Sequence, residues 1–286
     1  MDLLESNNKI IDLLKNNNNF SVIRLGLGEE TYLTFNYLVT GKINEEYLKP
    51  EYNLNGVYSK MNDIQKYELF CNHYNEGIKS SDLLAYVNFN NDNFMHMQNI
   101  FTSNYNLNKI HSRSIEPFYV MLENKIPWTH YLIDKKVLII SPFVDSFQSQ
   151  LNNNFEIFKD KKVFLESQKF IFYKSYNTLS GNYLHQDWFE TFNLMKDDIK
   201  KLDFDIALLS CGGYGLPLCN FIKTEFKKSC IYVGGGLQLL FGVMGKRWEN
   251  NSLWKKIIED NNSKFIRPSK NETIKNYTNI ENGCYW

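Results

Sequence analysis

The stretch Arg24-Leu25-Gly26-Leu27-Gly28-Glu29 places a cation, two glycines and a carboxylate in six consecutive residues. A guanidinium binds phosphate oxygens through a planar, bidentate fork. Glycines beside it let a ligand approach the backbone closely. Arg24 at a strand end and Glu29 at a helix start are aimed at one space, although a Glu in a first helical turn also complements the macrodipole. Two more glycine clusters carry the same implication: Gly212, Gly213 and Gly215 around Tyr214, and Gly234-Gly235-Gly236 followed by Gln238. Lys246-Arg247 come after the second cluster. They either offset the dipole at a helix C-terminus or, if the chain folds back at Gly245, reach a phosphate. Together these residues predict a site for a phosphate-bearing ligand.

The elements that must position them follow from hydrophobic patterning. Asp205–Cys211 is a short, mainly apolar run with no periodicity break, as expected for a strand buried on both faces. Leu216–Lys227 has helical spacing, and Cys230–Val233 is a second buried run leading into Gly234. That order is a βαβ unit with glycines at two strand ends, where an anion meets a helix N-terminus. Phe20–Leu25 and the helix from Thr31 to Leu38 repeat the junction. So do Val137–Ser141 and Asp145–Leu151, with Ser141 as a phosphate or ribose contact. Helices are also expected at Leu3–Leu14, Met61–Tyr74, Ser80–Val87, Phe94–Phe101, from Glu116, at Trp188–Leu202 and at Asn251–Glu259. Val163–Leu165 and Phe170–Tyr173 read as short aromatic strands. Loops are expected at Asn16–Asn19, at Ile43–Val57 with Pro50 and Gly56, and at Asn88–Asn93. The pattern predicts an α/β fold: a doubly wound, mostly parallel, Rossmann-like sheet with a helical insertion. Residues 1–286 form one domain, with a helical cap at about 58–124.

Composition narrows the classes. Lys plus Arg and Asp plus Glu are 32 each, so no bulk field draws nucleic acid or an anionic membrane. No apolar run approaches the ~20 residues that cross a bilayer. The start, MDLLESNNKI, lacks the basic region and apolar core of a signal peptide, and the expected compartment is the cytoplasm. Cys71, Cys211, Cys219, Cys230 and Cys284 are odd in number and form no CxxC pair, which argues against disulfides and structural zinc. No G-x-G-x-x-G follows the first strand, which lowers the dehydrogenase and methyltransferase options. A homo-oligomer is left open.

Arg24-Leu25-Gly26-Leu27-Gly28-Glu29 resembles the R-x-G-D-G-E signature of glycosyltransferases with the D-type fold, and the glycine-rich βαβ unit is similar to that family's nucleotide-sugar half. Ile115–Tyr119, Val137–Phe143, Gly212–Leu218, Gly234–Trp248 and the Gly-Cys-Tyr-Trp ending resemble uncharacterised proteins encoded with bacterial or viral surface-polysaccharide genes. The resemblance implies sugar transfer from a nucleotide diphosphate sugar to a glycan acceptor, with Glu29 as the base for the acceptor hydroxyl. Glu30 and Asp187 are weaker candidates for that base and read more simply as surface charges. The family's Asp-x-Glu pair helps to place a divalent metal, and here it is Leu27-Gly28-Glu29. The missing aspartate disfavours Mg²⁺ or Mn²⁺, which favour several oxygen ligands. It leaves Arg24, Lys246, Arg247 and backbone amides to neutralise the diphosphate. The same departure favours a non-catalytic nucleotide-sugar or glycan-binding protein as the alternative.

Overall fold

The structure, a computed structural model, describes residues 1–16, 19–49, 54–88 and 91–286. Pro50 and parts of the loops expected at 16–19 and 88–93 lie outside the described residues. Seven strands form one sheet: β1 (Ser21–Ile23), β2 (Leu83–Tyr86), β3 (Asn108–His111), β4 (Lys136–Ser141), β5 (Lys169–Lys174), β6 (Ile206–Leu209) and β7 (Ser229–Tyr232). The order is β3-β2-β1-β7-β6-β4-β5, and every pairing is parallel. This is the doubly wound, Rossmann-like architecture.

Alternating strand residues enter two cores, one on each face. Val22, Ala85, Ile139, Leu208 and Ile231 pack with α1 (Leu3–Asn16), α5 (Pro117–Leu122), α6 (Val144–Asn152) and α11 (Ser252–Asn261). Ile23, Leu84, Ile140, Leu209 and Cys230 face α2 (Glu29–Thr40), α3 (Ile64–Lys79), α4 (Asp92–Asn104), α7 (Trp188–Ile199) and α8 (Gly215–Asn220). Burial on both faces explains the near-continuous apolar runs of β4, β6 and β7. Side-chain caps set several helix starts: Asp63 for α3, Asn91 for α4 and Asn251 for α11. Asp187, expected as a surface charge, caps α7 through Glu190 N at 2.8 Å and pairs with Lys66 Nζ at 3.0 Å.

Four expectations need correction. Residues 80–87, expected to be helical, contain β2, because a four-residue run buried on both faces shows no period that separates strand from helix. With β3, which polar edge residues concealed, β2 makes the stretch at 58–124 part of the sheet and its helical layer instead of a cap. Val163–Leu165 forms no strand. The helix expected over 216–227 divides into α8 and a π-helical turn at Phe221–Glu225.

Candidate functional site

All the strands run the same way, so their carboxyl ends share one edge. A cleft of about 840 Å³ lies there, lined by residues beyond each strand: Arg24, Leu27 and Glu29 after β1, Val87-Asn88 after β2, Arg113, Glu116 and Tyr119 after β3, Pro142-Phe143 after β4, Tyr176 to Leu179 after β5, Ser210, Gly212 and Tyr214 after β6 and Gly234, Gly236 and Gln238 after β7. Ligands bind at this edge in open α/β sheets. The structure brings together Arg24, Gly26, Gly28, Glu29, Gly212, Tyr214, Gly234, Gly235, Gly236, Gln238 and Arg247. Ser141, Gly213, Gly215 and Lys246 are not in the lining. The Ser141 hydroxyl is fully buried and accepts a hydrogen bond from Phe143 N at 3.3 Å, so it turns the chain at the end of β4. Gly215 lies under the Tyr232 ring, and Gly213 N donates to Asn55 O at 2.9 Å. Lys246 is exposed, with Nζ 3.4 Å from Asn282 O.

The glycines serve close packing between segments. A Cβ at Gly234 would stand 3.3 Å from Arg24 Cδ, one at Gly235 3.0 Å from Tyr285 Cε1, and one at Gly236 2.6 Å from Glu116 Oε1. Three side chains from distant segments thus lie directly on one turn. Gly234 also has φ +70°, which favours glycine. The Arg24 stem rests on Gly234, and its guanidinium has no hydrogen bond or ion pair among the described residues. An unpaired guanidinium in a cleft attracts an anion.

Arg247 is differently placed. The helix after the glycine triplet, α9 (Gly236–Leu240), ends well before it, and Lys246-Arg247 open a separate short helix, α10 (Lys246–Glu249). They are therefore not at the C-terminus of the α9 helix. Arg247 lines the cleft but pairs with Glu281 at 2.7 Å and lies over the Tyr285 ring at 4.7 Å. Gln238 is buried and donates to Tyr285 O at 3.0 Å. Tyr214 is buried too, its hydroxyl 2.9 Å from Thr178 Oγ1.

Glu30, expected at the surface, is 2% exposed. Its carboxyl lies behind the first glycine loop: a Cβ at Gly26 would meet Glu30 Oε1 at 1.8 Å, and one at Gly28 would meet Oε2 at 2.3 Å. Oε1 accepts from Asn55 Nδ2 at 2.6 Å, whereas Oε2 has no hydrogen-bond partner among the described residues. Burial pushes this carboxyl up to about 7; the Asn55 bond opposes the rise, and nearby Glu29 adds to it. Burial likewise raises the Tyr74 and Tyr232 hydroxyls, with Glu30 contributing and Arg24 opposing.

The signature's metal pair does not fit Mg²⁺ or Mn²⁺ here. Leu27, 49% exposed in the cleft lining, presents hydrocarbon where an oxygen ligand would stand, leaving Glu29 alone. Among the described residues no group of three His, Cys, Asp or Glu side chains is placed to hold a metal ion.

The family described as a GT-D fold-like domain matches residues 3–240. The chain belongs to that family. No curated protein and no solved structure matches it. The GT-D-like domain has a glycosyltransferase-like fold, and the match ends at the last residue of α9. One bank of the cleft, built by Arg247, Trp248, Glu281 and Tyr285, lies beyond the matched segment. No helix among the described residues of the GT-D-like domain is long and apolar enough to cross a membrane. Sequence reasoning missed Asn55, Arg113, Glu116 and Tyr119 as cleft residues. The Glu116-Pro117 pair was legible only as a helix start, which it is: Pro117 opens α5.

Proposed function

We propose that this protein transfers a sugar from a nucleotide diphosphate sugar to a hydroxyl of a glycan acceptor, in surface polysaccharide or glycoprotein glycan synthesis. The observation that carries the reading is the unpaired Arg24 guanidinium, laid on Gly234 in a cleft to which all seven strand ends contribute. In such a transfer the sugar carbon gains positive charge and the leaving diphosphate gains negative charge. A cation fixed in advance at the diphosphate stabilises that separation. Backbone amides of Leu27, Gly28 and Gly212 supply further donors, whereas Gly26 N is taken by Tyr74 Oη at 3.2 Å and Gly213 N by Asn55 O. Glu29, in the first turn of α2 and in the lining, is the sequence-based choice for the proton acceptor.

The test is a panel of nucleoside diphosphates followed by melting temperature. A ligand at 100 times its Kd stabilises the fold by about 2.7 kcal/mol, a shift of a few degrees for a domain of this size. The bare nucleosides should shift it far less, and a flat response to the whole panel would end the reading. The Leu27 substitution favours a second reading, a domain that binds a nucleotide sugar or glycan without turnover. Release of nucleoside diphosphate from the sugar donor separates the two.

A further inference from the structure

Sugar transfer needs a group that takes the acceptor proton. Among the described residues three carboxylates line the cleft: Glu29, Glu116 and Glu281. Glu281 is exposed and paired with Arg247. Glu29 stands beside Leu27 on the Arg24 bank. Glu116 is placed otherwise. It belongs to the segment after β3, at the edge of the sheet, yet its carboxylate presses on Gly236 after β7, which lies three places along the strand order. The residue is only 8% exposed. Its Oε2 accepts from Arg113 Nη1 at 3.1 Å, and the Arg113 guanidinium in turn lies 4.6 Å over the Tyr119 ring. Oε1 accepts no hydrogen bond from the described residues and is not among the sealed polar atoms. The carboxylate is therefore held by one oxygen and open to the cleft by the other.

Arg24 lies against Gly234 and Glu116 against Gly236, so an unpaired cation and an open carboxylate oxygen flank a single turn. Displacement at a sugar carbon uses that pair of charges, one for the departing diphosphate and one for the arriving hydroxyl.

We propose that Glu116 is the general base of the transfer and that Arg113 is its positioning residue. This rests on the nucleotide-sugar reading of the cleft. The acceptor O–H gives its proton to Glu116 Oε1. The oxygen lone pair forms the bond to the anomeric carbon. The bond from that carbon to the diphosphate oxygen breaks, and its electron pair leaves with the nucleoside diphosphate toward Arg24. The proton on Glu116 is then lost to water. A single displacement of this kind inverts the anomeric configuration. Glu29 is left to hold donor sugar hydroxyls.

Water can replace the acceptor in the test. The full chain is given UDP-, GDP- and dTDP-sugars, nucleoside diphosphate release is followed across pH, and the same nucleoside diphosphates are titrated calorimetrically. Glu116→Gln should lower kcat by roughly 10²-fold and remove the acid limb of its pH profile. Its nucleoside diphosphate Kd should change by less than about twofold. Glu116→Ala should regain turnover in formate, which a folding defect would not permit. Arg113→Ala should move the acid limb without abolishing turnover, and Glu29→Gln should act mainly on donor KM. Full kcat in Glu116→Gln, or an acid limb lost in Glu29→Gln alone, overturns the assignment and returns the base to Glu29. If the wild type binds nucleoside diphosphate but releases none from any donor, the Glu116 assignment falls and the binding reading stands. If no nucleoside diphosphate binds, the nucleotide-sugar reading fails and the assignment goes with it.

Discussion

Glu30 and Gly213 are joined through one residue: the Glu30 carboxylate accepts from the Asn55 side chain at 2.6 Å, and Gly213 N donates to the Asn55 carbonyl at 2.9 Å. The loop after β1 is thereby tied to the loop after β6, across the intervening β7. The tie depends on a carboxyl that is buried and open to protonation near neutrality.

That dependence predicts a pH effect on stability. With the folded-state value raised to about 7, the Glu30 contribution is complete below the ordinary carboxylate range and is lost as pH rises through 7. Glu30→Gln mimics the protonated form and should escape the loss. The melting temperature of the variant relative to wild type should therefore climb between about pH 5 and pH 8, by an amount equivalent to a few kcal/mol. Thermal scans of both proteins across that range decide it, and a pH-independent difference would remove the buried-acid argument.

Arg24 predicts a ligand effect. Arg24→Ala should weaken nucleoside diphosphate binding by more than tenfold, about 1.4 kcal/mol, and leave the bare nucleoside nearly unaffected. Arg24→Lys should recover part of the loss, since an ammonium keeps the charge without the bidentate fork. Equal losses for nucleoside and diphosphate in calorimetric titration would mean a deformed pocket and no phosphate contact at Arg24.

The pairing of Arg247 with Glu281 and Tyr285 makes it the weaker diphosphate contact of the two. Arg247→Ala should lower the melting temperature by loosening residues 281–285, with a smaller loss of diphosphate affinity than Arg24→Ala. The same titrations rank the two arginines, and a larger loss at Arg247 would reverse their roles.

Chelation is the next measurement. With Leu27 where the signature has aspartate, nucleoside diphosphate binding and donor turnover should persist in EDTA. Loss of both in EDTA and recovery with Mn²⁺ would show that oxygen ligands come from elsewhere.

Much of this was legible in the sequence where local pattern and burial agree. β6 and β7 are short, mainly apolar runs followed by glycines, so their class, their parallel pairing and the edge that carries the cleft could be read from residues 205–236. β2 could not, because Leu83–Tyr86 is too short to carry a period and follows Ser-Ser-Asp, which also reads as a helix cap. The Arg24–Glu29 stretch showed its chemistry by type and spacing. Glu116 did not, since its placement depends on contact with Gly236, 120 residues away in sequence. Glu30 was misjudged because a second acidic residue in a first turn looks solvated. Only the packing of α2 on the sheet turns it inward, beneath Gly26 and Gly28.

The position of the Glu30 carboxyl also constrains which sequences this family can explore. With Oε1 1.8 Å from where a Gly26 Cβ would stand and Oε2 2.3 Å from one at Gly28, positions 26, 28 and 30 share one small volume. A relative carrying alanine or serine at 26 or 28 should carry a shorter residue at 30 and have no need of an amide at 55. The two glycines and the buried acid behind them are in this sense one steric unit, in which a change at one position calls for a change at another.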